Sequence, residues 1–244
     1  MTQEIKSISG EVILIDIIPE APDIKTFRFQ TPDIFKYKSG QFVMLRYPKD
    51  SLHHQIGARA YSISSAPNHK NYFDLTIQKV GKFTTEIFNS KVNEKFTFTG
   101  PHGKFGLPED KKEIVFLTGG SGITPFLSMI RDLDYNNKQD TNITIFYSCR
   151  TPDLFIRRQE IEQICKRNPN IKTHFTITRP RPEDKDWKGL TGRINKEMLE
   201  KHLHNLQNKT FFIVGTKDMI DTLKELLMKE LNVPKEQIVI ENWG

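Results

Sequence analysis

The stretch FLTGGSGITPF, residues 116–126, determines how the second half of the chain folds. An apolar run typical of a buried strand meets three glycines and then an apolar helix. Glycine permits a tight turn and close backbone approach to a ligand, and the free N–H groups at a helix N-terminus attract phosphate. Pro125 suits the first helical turn, because its missing N–H would have no partner there. The stretch predicts either a plain strand–helix turn or a phosphate-binding turn.

Strand and helix patterns alternate around this turn and on to the end of the chain. Such alternation predicts a parallel sheet with helices packed on it. Ligands of such sheets bind at the carboxyl ends of the strands, which is where the glycine turn falls. The expected strands are 113–118, 141–149, 171–178, 210–215 and 237–241, and the expected helices are 123–133, 156–167, 194–203 and one that starts at Asp218.

The first part of the chain has a different pattern, with short strands separated by turn residues. Strands at this spacing predict a barrel or a sandwich. A segment rich in glycine, proline and charge, residues 100–113, predicts the domain boundary. We therefore expect an antiparallel β-barrel over residues 1–106 and an α/β domain over residues 107–244. The expected strands of the first domain are 10–18, 24–30, 41–47, 72–80 and 95–100, and one short helix is expected over 84–90, capped by Thr84.

Composition excludes several classes of protein. The net charge of +6 is spread along the chain without a Lys/Arg block, which argues against nucleic acid as a partner. No apolar run approaches the roughly 20 residues of a membrane-spanning helix, and the N-terminus lacks the pattern of a secretory signal. Cys149 and Cys165 are the only cysteines, too few for a disulfide framework or a four-thiolate iron–sulfur cluster, and the histidines show no metal spacing. We expect a cytoplasmic monomer without a bound metal.

Two segments of the first domain have residues that suit a phosphate-bearing ligand. In ARAYSISSAPN, residues 58–68, an arginine is able to grip phosphate and a tyrosine to stack on a planar ring. GKFTTEIFN, residues 81–89, places a glycine, a lysine and two hydroxyls at a helix start. Taken alone, the first is also compatible with an ordinary strand and the second with a capped helix. Together with the glycine turn they predict two phosphate-bearing ligands, one for each domain.

Arginines follow two strands of the second domain at their carboxyl ends. The second strand ends Ser148-Cys149-Arg150 and the third ends Thr178-Arg179, and no acidic residue stands there to bind a ribose hydroxyl. Arginine at such a position accommodates the 2′-phosphate of NADP. The alternative is that Arg150 and Arg179 are ordinary surface residues at strand ends.

On these motifs the chain resembles the ferredoxin–NADP reductase superfamily along nearly its whole length. The flavin signature R-x-Y-[ST] of that family matches Arg59-Ala60-Tyr61-Ser62. The resemblance implies that Arg59 holds a flavin phosphate, that Tyr61 stacks on the isoalloxazine ring and that Ser62 lies near the flavin N5 atom. The second flavin element of the family implies contacts to the cofactor pyrophosphate from Gly81, Lys82, Thr84 and Thr85.

The G-x-G-x-[TAS]-P turn of the family is similar to residues 120–125 of this chain. The resemblance implies that the dinucleotide pyrophosphate binds there and that Thr124 approaches the nicotinamide. Many relatives have Cys-Gly-x-x-x-Met before the last helix, whereas this chain has valine in place of the cysteine. Trp243 either shields the flavin or anchors the last strand. The residues assigned to the dinucleotide side are Thr118, Gly119, Gly120, Ser121, Gly122, Ile123, Thr124, Pro125, Ser148, Arg150, Arg179, Gly215 and Met219.

The resemblance implies an oxidoreductase that passes hydride from NADPH or NADH to bound FAD and then electrons to an external acceptor. Ferredoxin, flavodoxin or an oxygenase component would suit as that acceptor. FAD is favoured over FMN, because a second phosphate-binding element is present. Tyr61, Ser62 and Thr124 are the candidate catalytic residues. The alternatives are a non-catalytic flavin-binding subunit of a larger electron-transfer complex and a binding module that has lost flavin.

Overall fold

The computed structural model describes residues 5–32, 34–69 and 71–241, and the chain divides into two units. The first unit comprises Met1–Leu107 and Thr124–Tyr135, and the second comprises Pro108–Ile123 and Asn136–Gly244. The helix that follows the glycine turn is therefore grouped with the first unit, although the turn itself belongs to the second.

An antiparallel sheet of six strands forms the first unit, in the order β4-β3-β6-β1-β2-β5. A bridge between Ile63, just beyond β4, and Leu75 of β5 joins the two outer strands, so the sheet closes into a barrel. The strands are β1 (Ile8–Ala21), β2 (Ile24–Gln30), β3 (Phe42–Arg46), β4 (Arg59–Ser62), β5 (Tyr72–Gln78) and β6 (Lys95–His102).

Phenylalanine rings fill the barrel. The ring of Phe29 lies 5.5 Å from that of Phe73 and 5.4 Å from that of Phe96, centroid to centroid, and all three residues are fully buried. Tilted and edge-on aromatic pairs at such distances add about 0.5–1.5 kcal/mol each beyond the area they bury. Successive side chains of a strand point to opposite faces of the sheet, and Phe29 of β2, Phe73 of β5 and Phe96 of β6 all lie on the inner face.

The short helix α1 (Lys82–Asn89) begins earlier than the sequence pattern predicts. Its N-cap is Gly81, and the expected cap, Thr84, lies at the third helical position. The Thr84 hydroxyl accepts hydrogen bonds from the N–H groups of Val80 and Gly81, each at 2.8 Å. The prediction of a Thr84 cap is wrong because a hydroxyl at the third position reaches back to the cap backbone equally well.

All six strands of the second unit are parallel, in the order β10-β9-β8-β7-β11-β12. The chain moves outward from β7 to β10 and then returns to β11 on the other side of β7, so the winding reverses between β7 and β11. The elements are β7 (Glu113–Gly119), β8 (Asn142–Cys149), α3 (Arg158–Arg167), β9 (Ile171–Ile177), β10 (Leu190–Thr191), α4 (Lys196–His202), β11 (Thr210–Val214), α5 (Lys217–Glu225), which continues as a π-turn over Leu226–Glu230, and β12 (Ile238–Glu241).

The predicted fold class, an antiparallel β-barrel followed by an α/β domain with a parallel sheet, is confirmed. Central strands β7 and β11 are almost continuous apolar runs, as expected for strands buried on both faces. Apolar side chains of α4 and α5 cover part of this sheet, among them Leu199 and Leu223. The two-residue strand β10 was not predicted from the sequence. None of the described helices is long and apolar enough to cross a bilayer.

Helix α2 (Thr124–Tyr135) packs on the barrel through close contacts. The rings of Phe126 and Phe105 lie 5.8 Å apart. Gly40 has a φ of +90°, and a Cβ placed on it would lie 2.3 Å from the carbonyl oxygen of Phe105 and 2.5 Å from Met129 Cε. Only glycine fits at position 40, because both the backbone conformation and the space exclude a side chain.

We expect Gly40→Ala to lower the free energy of unfolding by about 2–4 kcal/mol, combining left-handed strain with overpacking. Gly57→Ala is the matched control. Gly57 also has a positive φ, but its Cβ would meet only Arg59 Nη1 at 3.6 Å, an ordinary contact. The control should lose about 1 kcal/mol. Urea unfolding of both variants measures the difference, and equal losses would show that the Phe105 and Met129 contacts impose no constraint.

Candidate functional site

The predicted flavin motif forms strand β4, and Tyr61 is its half-buried member. The ring of Tyr61 lies 5.9 Å from that of Phe83 in α1, so this strand and the start of the short helix are neighbours. Burial raises the pKa of the Tyr61 phenol, which therefore stays neutral in the physiological range. Ser62 is buried. The strand thus offers a neutral aromatic face beside a buried hydroxyl.

Arg59 lies at the exposed start of β4. Its Nη1 donates to the Ala58 carbonyl at 2.8 Å, and among the described residues it forms no ion pair with a carboxylate. An exposed guanidinium without a carboxylate partner is available to bind an anion such as phosphate. Ala60, the next residue of the motif, is exposed and has no polar side chain to contribute.

The N-terminus of α1 has the features of a phosphate cradle. Gly81 leaves the helix start without a side-chain cap, and a Cβ there would meet no atom within 4 Å, so the space in front of the helix is open. Lys82 is exposed and Thr85 half-buried in the first turn. The Thr84 hydroxyl is buried and holds the turn itself, donating to the Gly81 carbonyl at 2.9 Å. Thr84 therefore stabilises the backbone at the start of α1.

In the second unit, residues Gly120–Ile123 form a 3₁₀ turn at the carboxyl end of β7, where the winding of the sheet reverses. Gly120 has a φ of +53°, and a Cβ there would meet nothing within 4 Å. Gly122 is in the opposite situation, because its Cβ would lie 2.6 Å from the Val214 carbonyl oxygen and 2.8 Å from Thr118 Oγ1. One glycine therefore leaves room for a ligand, and the other permits close packing of the turn on the sheet.

Five of the predicted dinucleotide residues meet at this turn. Gly119 pairs with Ser148 across the ends of β7 and β8. Met219, in the first turn of α5, lies over both Gly119 and Gly215, since a Cβ on either glycine would be 2.9 Å from its sulfur. Thr118 is fully buried, and its hydroxyl donates to the Val214 carbonyl at 3.0 Å. The ends of β7, β8 and β11 thus form one surface below the glycine turn.

Tyr147 is a supporting residue of this surface that the sequence did not reveal. Its hydroxyl donates to the Gly120 carbonyl at 3.0 Å and accepts from the Ile156 N–H at 3.1 Å. The side chain therefore fixes the glycine that has the positive φ. It lies in a buried strand pattern with no motif around it, so no local signal distinguished it from an ordinary core residue.

Arg150 and Arg179 are adjacent at the backbone, because the Arg179 N–H donates to the Arg150 carbonyl at 2.8 Å. Both are exposed, and neither forms an ion pair with any described carboxylate. Nearby Arg181 differs, since it binds Asp153 at 2.7 Å and Asp184 at 3.0 Å.

The cysteine that precedes Arg150 is buried. Burial raises the pKa of the Cys149 thiol to about 12, so this cysteine stays protonated.

The remaining predicted residues have these positions. Ser121 is half-buried and Ile123 fully buried within the turn. Thr124 and Pro125 are the first, buried residues of α2, one position later than the predicted helix start. Trp243 lies outside the described residues.

Family models match both halves of the chain. A model described as an oxidoreductase FAD-binding domain matches residues 11–107, and one described as an oxidoreductase NAD-binding domain matches residues 116–225. The chain therefore combines an oxidoreductase FAD-binding domain with an oxidoreductase NAD-binding domain. The chain belongs to the ferredoxin–NADP reductase superfamily.

Curated relatives and solved structures agree with this membership. A subunit of the Na(+)-translocating NADH-quinone reductase of Serratia proteamaculans is 28% identical over 94% of this chain, and the glycine betaine monooxygenase reductase subunit of Chromohalobacter salexigens is 29% identical over 87%. The chain spans 59% and 58% of the lengths of these two relatives. The ferredoxin–NADP+ reductase of Plasmodium falciparum has the same fold, with a TM-score of 0.76 at 23% identity over 96% of each chain.

Alanine substitutions at Gly120 and Gly122 should distinguish the glycine that leaves room for a ligand from the glycine that permits close packing. Gly120→Ala should keep the fold, losing about 1 kcal/mol to its left-handed backbone, while the dissociation constant for the dinucleotide rises about tenfold. Gly122→Ala should instead lower the free energy of unfolding by about 2–4 kcal/mol, because its Cβ collides with the Val214 backbone. Thermal unfolding and dinucleotide titration measure the two effects. Unchanged affinity in Gly120→Ala would contradict a pyrophosphate site at this turn.

Proposed function

We propose that the protein takes hydride from NADPH or NADH, holds the electrons on bound FAD and delivers them to an external protein acceptor. We further propose that residues 1–106 bind the flavin and residues 107–244 the dinucleotide. The observation that carries the proposal is that each unit has a turn with a glycine facing open space, Gly81 in one and Gly120 in the other. Two such turns in one chain suit two phosphate-bearing cofactors.

The residues of the first unit fit FAD. Tyr61 would stack on the isoalloxazine ring, with Ser62 near the N5 atom, and Arg59 would bind a phosphate through its exposed guanidinium. Lys82, Thr85 and the N–H groups of the α1 N-terminus would bind the rest of the pyrophosphate, and Thr84 would keep Gly81 in place. Bound FAD supplies the conversion of a two-electron hydride into electrons that leave singly or in pairs.

In the second unit the dinucleotide pyrophosphate would bind at Gly120, Ser121 and Gly122. Gly119, Gly215 and Met219 would form the surface against which the nicotinamide half lies, and Thr124 would orient the ring. Hydride transfer requires the reacting atoms to approach to about 3–3.5 Å, so positioning is the contribution asked of these residues. No side chain has to move a proton for hydride transfer, which fits a site built of glycines, hydroxyls and one thioether.

A protein acceptor is supported by the names of the relatives. One is the reductase subunit of a monooxygenase and another belongs to a quinone reductase, and a structural neighbour is the ferredoxin reductase of carbazole 1,9a-dioxygenase. We propose an oxygenase component or a small electron-transfer protein as the acceptor. The second candidate is a flavin-binding electron-transfer subunit of a larger complex, favoured by the names of the two curated relatives, both of which are subunits. Turnover of NADPH or NADH with ferricyanide by the chain alone would decide for the enzyme.

Replacing Tyr61 tests the flavin site. Tyr61→Ala should raise the dissociation constant for FAD about tenfold, because a stacked aromatic ring and its buried area are lost. Tyr61→Phe keeps the ring and should retain FAD. Titration of the apoprotein with FAD, followed by flavin fluorescence, measures both. Tyr135→Ala is the control, since Tyr135 is an exposed tyrosine outside the motif. A wild-type protein that stays colourless after addition of FAD would overturn the flavin assignment.

Replacing Arg150 and Arg179 together with alanine tests the preference for NADPH. If both bind the 2′-phosphate, the KM for NADPH should rise about tenfold or more, while the KM for NADH stays the same. Arg181→Ala is the matched control, because Asp153 and Asp184 already neutralise that guanidinium. Steady-state turnover with each dinucleotide measures the ratio. Wild-type rates with NADH that equal or exceed those with NADPH would remove the role assigned to the two arginines.

A further inference from the structure

The strand that carries the flavin motif continues beyond Ser62 into a buried segment, residues 63–66, which we call the seam because it closes the barrel against β5. The Ser64 N–H donates to the Asp74 carbonyl at 2.9 Å, and the Ser64 hydroxyl donates to the same oxygen at 3.1 Å. The Asp74 N–H donates to Ser65 Oγ at 3.0 Å. Ser64 and Ser65 are at most 1% exposed, so every polar group of the seam has to find its partner within the protein.

Side chains of the barrel satisfy further groups of the seam. The Tyr37 hydroxyl lies 2.8 Å from Ser65 Oγ and donates to the Ala66 carbonyl at 2.8 Å. The Asp74 carboxylate is bound by Arg28 through Nε at 2.8 Å and Nη2 at 3.0 Å, a two-point ion pair that holds β5 to β2. The seam is therefore bonded directly to β5 and to Tyr37, and Asp74 in turn ties β5 to β2.

The carbonyl oxygens of the seam are bound by helix α2. Arg131 Nη1 donates to the Ser64 carbonyl and Ser128 Oγ to the Ser65 carbonyl, each at 2.6 Å. Ser128 and Arg131 are three positions apart and so share one face of the helix. Ser128 is fully buried, so water has no access to replace its hydrogen bond. Two consecutive carbonyls of the flavin strand thus depend on donors from the helix that opens at Thr124.

We propose that Ser128 and Arg131 are positioning residues that hold the flavin motif in its binding geometry. This inference rests on the proposed flavin role of Tyr61 and Ser62. The physical reason is the stiffness of an extended strand. Ser64 is two residues from Ser62, so a displacement of the seam backbone also displaces the backbone of the motif. A buried carbonyl that loses its donor is costly, and the strand would move to recover one.

Three variants and one control test this role. Ser128→Ala and Arg131→Met each remove one donor to the seam, and Arg131→Lys keeps a cationic donor. Ser39→Ala is the control, because Ser39 Oγ also donates to α2, at 3.3 Å to Asp132 Oδ2, but contacts neither seam carbonyl. FAD affinity is measured by titration of each apoprotein, together with the visible spectrum of the bound flavin, kcat and the KM for the dinucleotide.

We expect Ser128→Ala and Arg131→Met to weaken FAD affinity about tenfold, which corresponds to about 1.4 kcal/mol. Their flavin spectra should shift and their kcat should fall, while the KM for the dinucleotide stays that of the wild type. Arg131→Lys should recover most of the affinity and the spectrum, and Ser39→Ala should match the wild type in all four measurements.

The inference is overturned if Arg131→Met and Ser128→Ala match Ser39→Ala in FAD affinity and spectrum, or if they change only the KM. Should Ser128→Ala fail to fold, the comparison of Arg131→Met with Arg131→Lys decides alone, because Arg131 is only partly buried. Failure of the proposed function is distinguishable, since it is seen in the wild-type protein as absence of flavin binding, whereas failure of this inference leaves wild-type flavin binding intact.

Discussion

The hydrogen bonds between Ser64 and Asp74 close the first sheet, and the arrangement of the flavin motif depends on that closure. Without them β4 would be a short outer strand paired only with β3. With them, the strand is held on both sides, and its carbonyls face the donors of α2. A barrel of phenylalanine rings supplies the apolar free energy, but the seam determines where Tyr61 and Ser62 stand.

The second unit depends on a constraint of a different kind, the absence of a side chain at Gly122. The turn approaches the Val214 carbonyl closely enough that any Cβ would collide with it. Below the turn, β7 and β11 are paired up to Thr118 and Val214, at the reversal of the winding where α/β sheets bind their ligands. Met219 then covers Gly119 and Gly215, because neither glycine has a side chain that would keep its sulfur at a distance.

Local patterns predicted the elements well, because they depend on residues close in sequence. Strand β2 was predicted with its observed ends, and the glycine turn was placed at the end of β7. Contacts between residues far apart in the chain could not be predicted from the sequence: Tyr147 binds Gly120, 27 positions away, and Arg131 binds Ser64, 67 positions away. Hydrophobic periodicity does not indicate which distant residues meet. Strand β10 was missed because two residues carry no alternation. The individual binding roles of the site residues remain predictions.

The edges of the two sheets have a consequence for how the protein behaves in a crowded solution. An open strand edge presents unpaired N–H and C=O groups that recruit strands from other molecules. The bridge between Ile63 and Leu75 joins the two outer strands of the first sheet at one point, so part of each outer edge is covered. At one side of the second sheet, β10 is two residues long and is followed at once by Gly192, whose N–H donates back to Ile177. The outer strand on the other side, β12, is four residues long, so both outer strands of the second sheet offer a neighbouring molecule little backbone to pair with.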